Sequence, residues 1–433
     1  MEHRFVRLLK EALDAAQLDL LKRVAEEAET LALPIYMIGG SVRDLLLGSV
    51  IKDFDLTVEG DAITLARALA KKYGGKVTAH PKFGTAKWFL PHSLISSNER
   101  DTLDFVSTRS ETYKHPGALP TVRLGTLEED IRRRDFTINA LALRLDGQRF
   151  GELIDLVGGQ ADLERKVIRV LHPKSFVDDP TRMYRAVRYE QRYAFQIAEE
   201  TLALIPHARP LVAKLSAQRI RHELDLILQE DDAALMLRRL EELNLLSIIH
   251  PALSFDDASY ARLEKLHTIR EVQPLLPWNV DKQGRVNKPY LGWLLWLMPF
   301  PRETIGALNE RLHFTADLYD SLMGASSIHS ILSSFVDLKP SQYVERLEAV
   351  PLDALEALYF AAPNERTKDI FFKYLAEWRH VKPHITGDDL KKRNLAPGPK
   401  YALILRRLRN AWLDGQVKTE EEEAKLLETL LSG

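Results

Sequence analysis

Ile38-Gly39-Gly40-Ser41-Val42-Arg43-Asp44-Leu45-Leu46-Leu47-Gly48, followed by Asp53-Phe54-Asp55, is the stretch on which the reading of this chain turns. The apolar run Ile35-Tyr36-Met37-Ile38 reads as a strand stopped by two glycines, and residues 42–47 read as the start of a helix. A Gly-Gly turn between strand and helix lets backbone N–H groups approach an anion, and the helix N-terminus adds its dipole. Arg43 adds a positive fork for a triphosphate. Gly-Gly alone reads equally as a tight turn, but Asp53-x-Asp55 adds a second signal. On a strand over residues 54–58, positions two apart share a face, so the two carboxylates converge. They repel unless they share a cation, which suits Mg²⁺ held by oxygen ligands and substrate phosphates. The set points to two-metal nucleotidyl transfer, one ion activating a 3′-hydroxyl and the other stabilising pyrophosphate. Asp104, on a further candidate strand at 102–107, reads either as a third carboxylate or as a satisfied strand-edge aspartate.

Outward from this stretch, residues 3–30 carry apolar positions at helical spacing, and Asp61 reads as the N-cap of a helix to Lys72. Strand candidates at 76–79, 86–90 and 102–107 make the first third mixed α/β. After about residue 160 amphipathic helical patterns dominate, with breaks at 206–210, 273–288 and 379–399. The fold class is therefore α+β, a mixed sheet with helices followed by an all-helical remainder.

With 433 residues, 45% hydrophobic and 28% charged, the chain is expected to form several packed units of ordinary soluble composition. Lys plus Arg (60) nearly balance Asp plus Glu (62), so a nucleic-acid partner has to be held by local basic patches. The absence of cysteine excludes disulfides, thiolate nucleophiles and cysteine zinc sites. Residues 1–17 are charged and lack the apolar centre of a signal peptide, and the apolar run 290–300 is too short to span a bilayer. A cytoplasmic protein with no membrane contact is the expectation.

A second cluster is Glu129-Asp130-Ile131-Arg132-Arg133-Arg134-Asp135-Phe136-Thr137-Ile138-Asn139. Such a charge run is usually a solvated helix face. Here it leads directly into an apolar segment, and Arg134 and Asp135 could grip a phosphate and a ribose 2′-hydroxyl, which would favour ribonucleotides. A third is Asp178-Asp179-Pro180-Thr181-Arg182, in which Pro180 suits a first helical turn and Arg182, Arg185 and Arg188 recur along one side. These arginines read as an exposed basic edge or as part of a base reader. Cytosine and adenine both present an amino donor beside an unprotonated ring nitrogen. The Asp179 carboxylate beside the Arg182 guanidinium complements that pattern, whereas guanine and uracil set like against like and leave buried polar groups unpaired.

In this order the clusters resemble the class II tRNA nucleotidyltransferases and related bacterial poly(A) polymerases of the polymerase-β superfamily. The resemblance rests on Gly39-Gly40-x-x-Arg43-Asp44 with Asp53-x-Asp55, Arg133-Arg134-Asp135-Phe-Thr-Ile-Asn139, Asp155-Leu-Val-Gly-Gly159 with Asp162-Leu163, and Asp178-Asp179-Pro-Thr-Arg182. Ser216–Leu224 is similar to the family's neck helix, with Gln218 where the family usually has Glu, and Asp178 stands where the template motif usually begins with Glu. The resemblance implies a polymerase-β-like head over residues 1–160, then a helical neck (161–270), body (271–380) and tail (381–433). It fits Mg²⁺ on Asp53 and Asp55, while Asp104 stays a candidate catalytic carboxylate on the reading of its own strand. Nucleotide binding would fall to Gly39, Gly40, Arg43, Asp44, Arg134, Asp135, Asn139, Asp179 and Arg182, with Arg185 and Arg188 added by their spacing along the same helix. CTP, ATP and the tRNA 3′ end are the implied partners, and CCA addition the implied reaction. CC-only or A-only addition, poly(A) synthesis and a catalytically inactive tRNA-binding protein are the alternatives. In the tail, Lys392, Arg393, Lys400, Arg406 and Arg407 flank a Gly-containing turn and read either as a tRNA phosphate clamp or as a solvated basic helix. The loop at 109–120, with Arg109 and Glu111, is expected to move with the template helix when specificity changes from C to A.

Overall fold

The computed structural model describes residues 4–51, 54–94, 101–112, 121–266, 286–335 and 337–432. The chain divides into two compact units, Met1–Leu215 and Ser216–Gly433.

The first unit is built on a seven-stranded sheet. Its strands are β1 (Ile35–Ile38), β2 (Asp55–Val58), β3 (Lys76–His80), β4 (Thr85–Phe89), β5 (Thr102–Ser107) and, beyond a hairpin of β6 (Arg109–Thr112) and β7 (Thr121–Leu124), β8 (Leu141–Arg144) and β9 (Leu153–Asp155). The order is β3-β4-β5-β2-β1-β8-β9, antiparallel at every pairing except the parallel β2–β5. The expected strands at 35–38 and 102–107 form as read, while β6 to β9 were not among the strands read from sequence.

Alternation along each strand decides what covers each face. One face packs Ile35, Met37, Leu56, Val58, Ala86, Trp88, Leu103, Phe105, Leu141 and Leu143 against the helices Arg4–Ala12, Ala15–Thr30 and Ala62–Tyr73. Two local signals start those helices. Asp14 forms a capping box with Gln17, splitting the helical pattern of residues 3–30, and Asp61 accepts from the Ile63 N–H at 2.9 Å as its sequence position implied. On the other face, among the described residues, apolar cover is packed at the β1–β8 end, by Leu127 and Ile131 of the helix Leu127–Arg132 against Tyr36, Ile38 and Ala142. The cover stops at β2, whose first residue, Asp55, is exposed.

The second unit is helical. The apolar run read as too short for a membrane is a buried core helix, Lys288–Leu297, and among the described residues no helix is long and apolar enough to cross a membrane. Trp293 and Trp296 stack at 5.3 Å, and their indole N–H groups donate to Asp225 (2.7 Å) and the Ser254 carbonyl (2.9 Å). Leu390, Ile404, Leu408 and Leu427 form a small separate core near the C-terminal end.

Glu356, on the helix Leu352–Ala361, is only 2% exposed, and its Oε1 has no hydrogen-bond partner among the described residues. Burial, joined by repulsion from Asp353 and only partly offset by Arg379, pushes its carboxyl up to about 8. An acid whose folded pKa is raised is penalised as pH climbs from its unfolded value toward the folded one. Glu356→Gln is therefore expected to raise the melting temperature by an increment that grows between pH 5 and 8 and levels off above. An increment independent of pH would contradict this.

Candidate functional site

The Gly-Gly turn forms where β1 meets the helix Gly40–Leu46. Gly39 sits at φ 74, and a β-carbon there would lie 2.6 Å from Arg134 Nη1, so the arginine occupies the space a side chain would need. Beside Gly40 stand Arg43 Nη2 and Asp55 Oδ2, 3.5 and 3.9 Å from where its β-carbon would be. The Ser41 hydroxyl accepts from the Asp55 N–H at 3.0 Å, which ties the start of β2 to the turn. Parallel pairing sets Asp104 of β5 directly beside Asp55, and antiparallel pairing sets Lys87 of β4 beside Asp104, at 3.1 Å. Asp53 lies outside the described residues. Among the described residues no three acidic or imidazole groups gather as a metal cluster.

Arg43 is 5% exposed. It donates to Asn139 Oδ1 at 2.5 Å and to Asp44 Oδ1 at 2.9 Å, and it lies over the rings of Tyr189 (5.3 Å) and Tyr193 (4.6 Å). The geometry makes it a strut joining the turn, Asn139 and the helix Thr181–Arg192.

The second and third clusters meet in a cleft of about 250 Å³ lined by Glu111, Arg133, Arg134, Asp135, Asp179, Arg182 and Arg185. Arg182 is 6% exposed and donates to Ser175 Oγ (2.6 Å) and the Arg133 carbonyl (2.7 Å), so the two clusters are joined side chain to backbone. Asp179 Oδ1 accepts from the Thr181 N–H (3.0 Å) and hydroxyl (2.7 Å) at the helix start. Asp135 accepts twice from Arg185 (2.9 and 2.6 Å), and from the Asn139 amide (3.0 Å) and the Phe136 N–H (2.9 Å). Burial pushes the Asp135 carboxyl up, but Arg185, Asn139 and the charge of Arg182 outweigh it and hold the group at about 2. Arg182, Arg185 and Arg188 do not form an exposed basic edge: Arg188, also 6% exposed, turns to the Tyr189 ring at 5.4 Å and is not among the residues lining the cleft.

Beneath the cleft lies Asp130, fully buried. Its Oδ1 accepts from Arg133 Nε (3.0 Å) and Nη2 (2.7 Å) and from the Arg109 N–H (3.3 Å), and its Oδ2 from Arg134 Nη2 (3.0 Å). Burial opposes ionisation, yet Arg134 and Arg133 bring its pKa below the usual value. The remaining Arg133 nitrogen, Nη1, donates to Glu111 Oε1 on β6 at 3.0 Å, linking cleft to hairpin. Residues 113–120 of the expected mobile loop lie outside the described residues. The segment Asp155–Asp162 buttresses the same region. Asp155 accepts from the N–H groups of Gly159 (2.9 Å) and Gln160 (3.0 Å), and Thr137 donates to Asp162 at 2.7 Å. A β-carbon on Gly159 would come within 2.2 Å of the Thr137 carbonyl, so only glycine admits this packing.

In the second unit, Lys392, Lys400, Arg406 and Arg407 are exposed, while Arg393 pairs with Glu428 and Arg406 lies 4.0 Å from Glu345.

Asp130 was the residue that sequence reading passed over. Its signal was present: Leu127 and Ile131 define the buried face of a helix, and position 130 falls beside them. Removing one partner of a buried ion pair costs about 3–5 kcal/mol. Asp130→Asn is expected to lower the melting temperature by several degrees, because it frees both Arg133 and Arg134. An unchanged melting temperature would contradict the assignment.

The chain matches the family model for the poly A polymerase head domain over residues 35–169, and that for a probable RNA- and SrmB-binding site of polymerase A over 194–256. It is 34% identical to an A-adding tRNA nucleotidyltransferase of Geobacter sulfurreducens over 97% of this chain, and spans about half (48%) of that relative's length. It is 32% identical to an A-adding tRNA nucleotidyltransferase of Halalkalibacterium halodurans over 96% of this chain and 93% of the relative. A solved structure of a CCA-adding enzyme in an apo form superposes with a TM-score of 0.82 at 30% identity, over 99% of this chain and 98% of that one. With head sheet, cleft and near-complete alignment in agreement, the chain belongs to the class II tRNA nucleotidyltransferase and poly(A) polymerase family.

Proposed function

We propose that this chain extends the 3′ end of tRNA, with terminal AMP addition from ATP as the step it performs. The observation that carries the reading is the convergence of Arg134, Asp135, Asp179 and Arg182 on one cleft beside the Gly39–Gly40 turn and the Asp55–Asp104 pair. In the reaction the 3′-hydroxyl oxygen attacks the α-phosphorus of the nucleotide. One P–O bond forms, the α–β P–O bond breaks, pyrophosphate leaves and the hydroxyl proton is released.

Each residue has a part in this scheme. The turn at Gly39–Gly40 cradles the phosphates. Arg134 supports it, and its buried Nε, without a partner among the described residues, is a donor that a bound phosphate would satisfy. Asp135, kept ionised, orients Arg185 and the ribose side of the cleft. Asp179 accepts the exocyclic amino group of A or C, while Arg182 donates to the neighbouring ring nitrogen. Arg43, Asp44, Asn139 and Arg188 act from behind, as the frame that keeps turn and helix in register. Asp55 and Asp104, adjacent hard oxygen donors at the open edge of the covered sheet face, fit Mg²⁺, with Asp53 as the further ligand. When bound, the metal favours deprotonation of the hydroxyl and neutralises charge on the leaving pyrophosphate. Lys392, Arg393, Lys400, Arg406 and Arg407 are assigned to the tRNA backbone.

A-only addition is favoured by the two A-adding relatives that align with nearly the whole chain. Full CCA addition is favoured by the likeness over 99% of the chain to a CCA-adding enzyme, and by a base reader that accepts C as well as A. Transcripts of tRNA ending at the discriminator base, at C and at CC, each given Mg²⁺ with CTP, ATP or both, separate the two. One A on the CC-ended tRNA alone is expected for an A-adding enzyme, and stepwise growth that stops at CCA for the full enzyme. A long A ladder, or no extension of any transcript, would overturn the proposal.

A further inference from the structure

We propose that the open face of the sheet over β3, β4 and β5 is the platform for the single-stranded 3′ end of the acceptor RNA, an inference that rests on the tRNA-extension reading above. Strand alternation puts Val77, Ala79, Ala86, Trp88, Leu103 and Phe105 toward the core, and so Lys76, Thr78, Lys87, Phe89 and Asp104 on the opposite face. Cross-strand register arranges these in rows. Lys76 of β3 stands beside Phe89 of β4, and Thr78, Lys87, Asp104 and Asp55 form the next row across four strands.

Phe89 is 39% exposed, an aromatic on a face that is otherwise polar apart from Val106, with a lysine as its cross-strand neighbour and another two positions away. An aromatic face among cations is the combination that holds single-stranded nucleic acid, the ring stacking a base and the lysines meeting phosphates. The row ends at the carboxylates, so a strand lying on this face delivers its terminus to them.

The placement also meets a demand of the chemistry. The attacking and leaving oxygens of phosphoryl transfer lie roughly in line. The turn at Gly39–Gly40 and the cleft beyond it, which take the nucleotide and its pyrophosphate, lie on one side of Asp55; Asp104 and the open face lie on the other. The acceptor hydroxyl therefore has to arrive across β5 and β4.

The test measures binding of two tRNA transcripts, one ending in CC and one cut back to the last paired base, to the full chain and to Phe89→Ala, Phe89→Tyr and Lys76→Ala. Phe89→Ala is expected to weaken the CC-ended tRNA roughly tenfold and to spare the cut-back one, while Phe89→Tyr binds like the parent. Lys76→Ala is expected to reduce the slope of log affinity against log salt by about 0.7, the value for one phosphate on a single strand. The KM for ATP stays at the parent value in all three. Unchanged binding of the CC-ended tRNA, or equal losses on both transcripts, would overturn the platform while leaving the activity intact in the parent chain. A parent chain that neither binds nor extends tRNA would overturn the reading on which the platform rests.

Discussion

The Asp130 carboxylate, fully buried and holding Arg133 and Arg134 together, is the constraint on which the site depends. Two adjacent guanidinium groups would repel each other, and neither side chain would have reason to stay where it is. A single anion between them fixes both. Arg134 is then aimed past Gly39 at the phosphate turn, and Arg133 reaches Glu111 on the hairpin. Through its carbonyl, Arg133 also receives Arg182 at 2.7 Å, so the proposed base reader is tied to the same segment that Asp130 holds in place. Asp135 repeats the arrangement with Arg185 on the opposite wall. A polar cleft of this kind holds its shape because its charges are met at hydrogen-bond distance, by counter-charges at Asp130 and Asp135 and by neutral partners at Asp179 and Arg182.

Much of this was legible in the sequence, because the phosphate turn and the carboxylate strand depend on local features. Two glycines after an apolar strand, and an aspartate at a strand start, act through backbone geometry that spacing reveals. The assignment of β1 followed from a short apolar run stopped by two glycines. The hairpin of β6 and β7 was missed because Arg109–Thr112 and Thr121–Leu124 carry no apolar alternation, and β8 because Leu141–Leu143 is buried on both faces and shows no period of two. The role of Arg43 lay outside sequence reasoning for a different reason. Spacing places it at the turn but does not show that Asn139, ninety-six positions away, and two tyrosines enclose it. The same holds for Arg188, where periodicity suggested an exposed edge and the fold turned that edge inward.

The sheet itself serves two purposes at once. Its β1–β8 end is sealed on both faces and supports the turn and the 137–139 segment, while its β3–β5 end is sealed on one face only. The carboxylates lie at the boundary between these regions, close to a packed core and exposed on the face that the tRNA-extension proposal assigns to the acceptor. Asp55 and Asp104 are exposed there, whereas Asp130 and Asp162, which hold the framework beside them, are buried.

The central claim is that Asp179 and Arg182 choose the incoming base without a nucleic-acid template. Single-turnover incorporation of AMP and of GMP on a CC-ended tRNA, by the parent chain and by Asp179→Ala, tests it most directly. The account predicts that the ratio of AMP to GMP rates falls at least tenfold in the variant, since the acceptor for the adenine amino group and the repulsion against the guanine carbonyl are lost together. A variant slowed for both nucleotides with the ratio intact would contradict it.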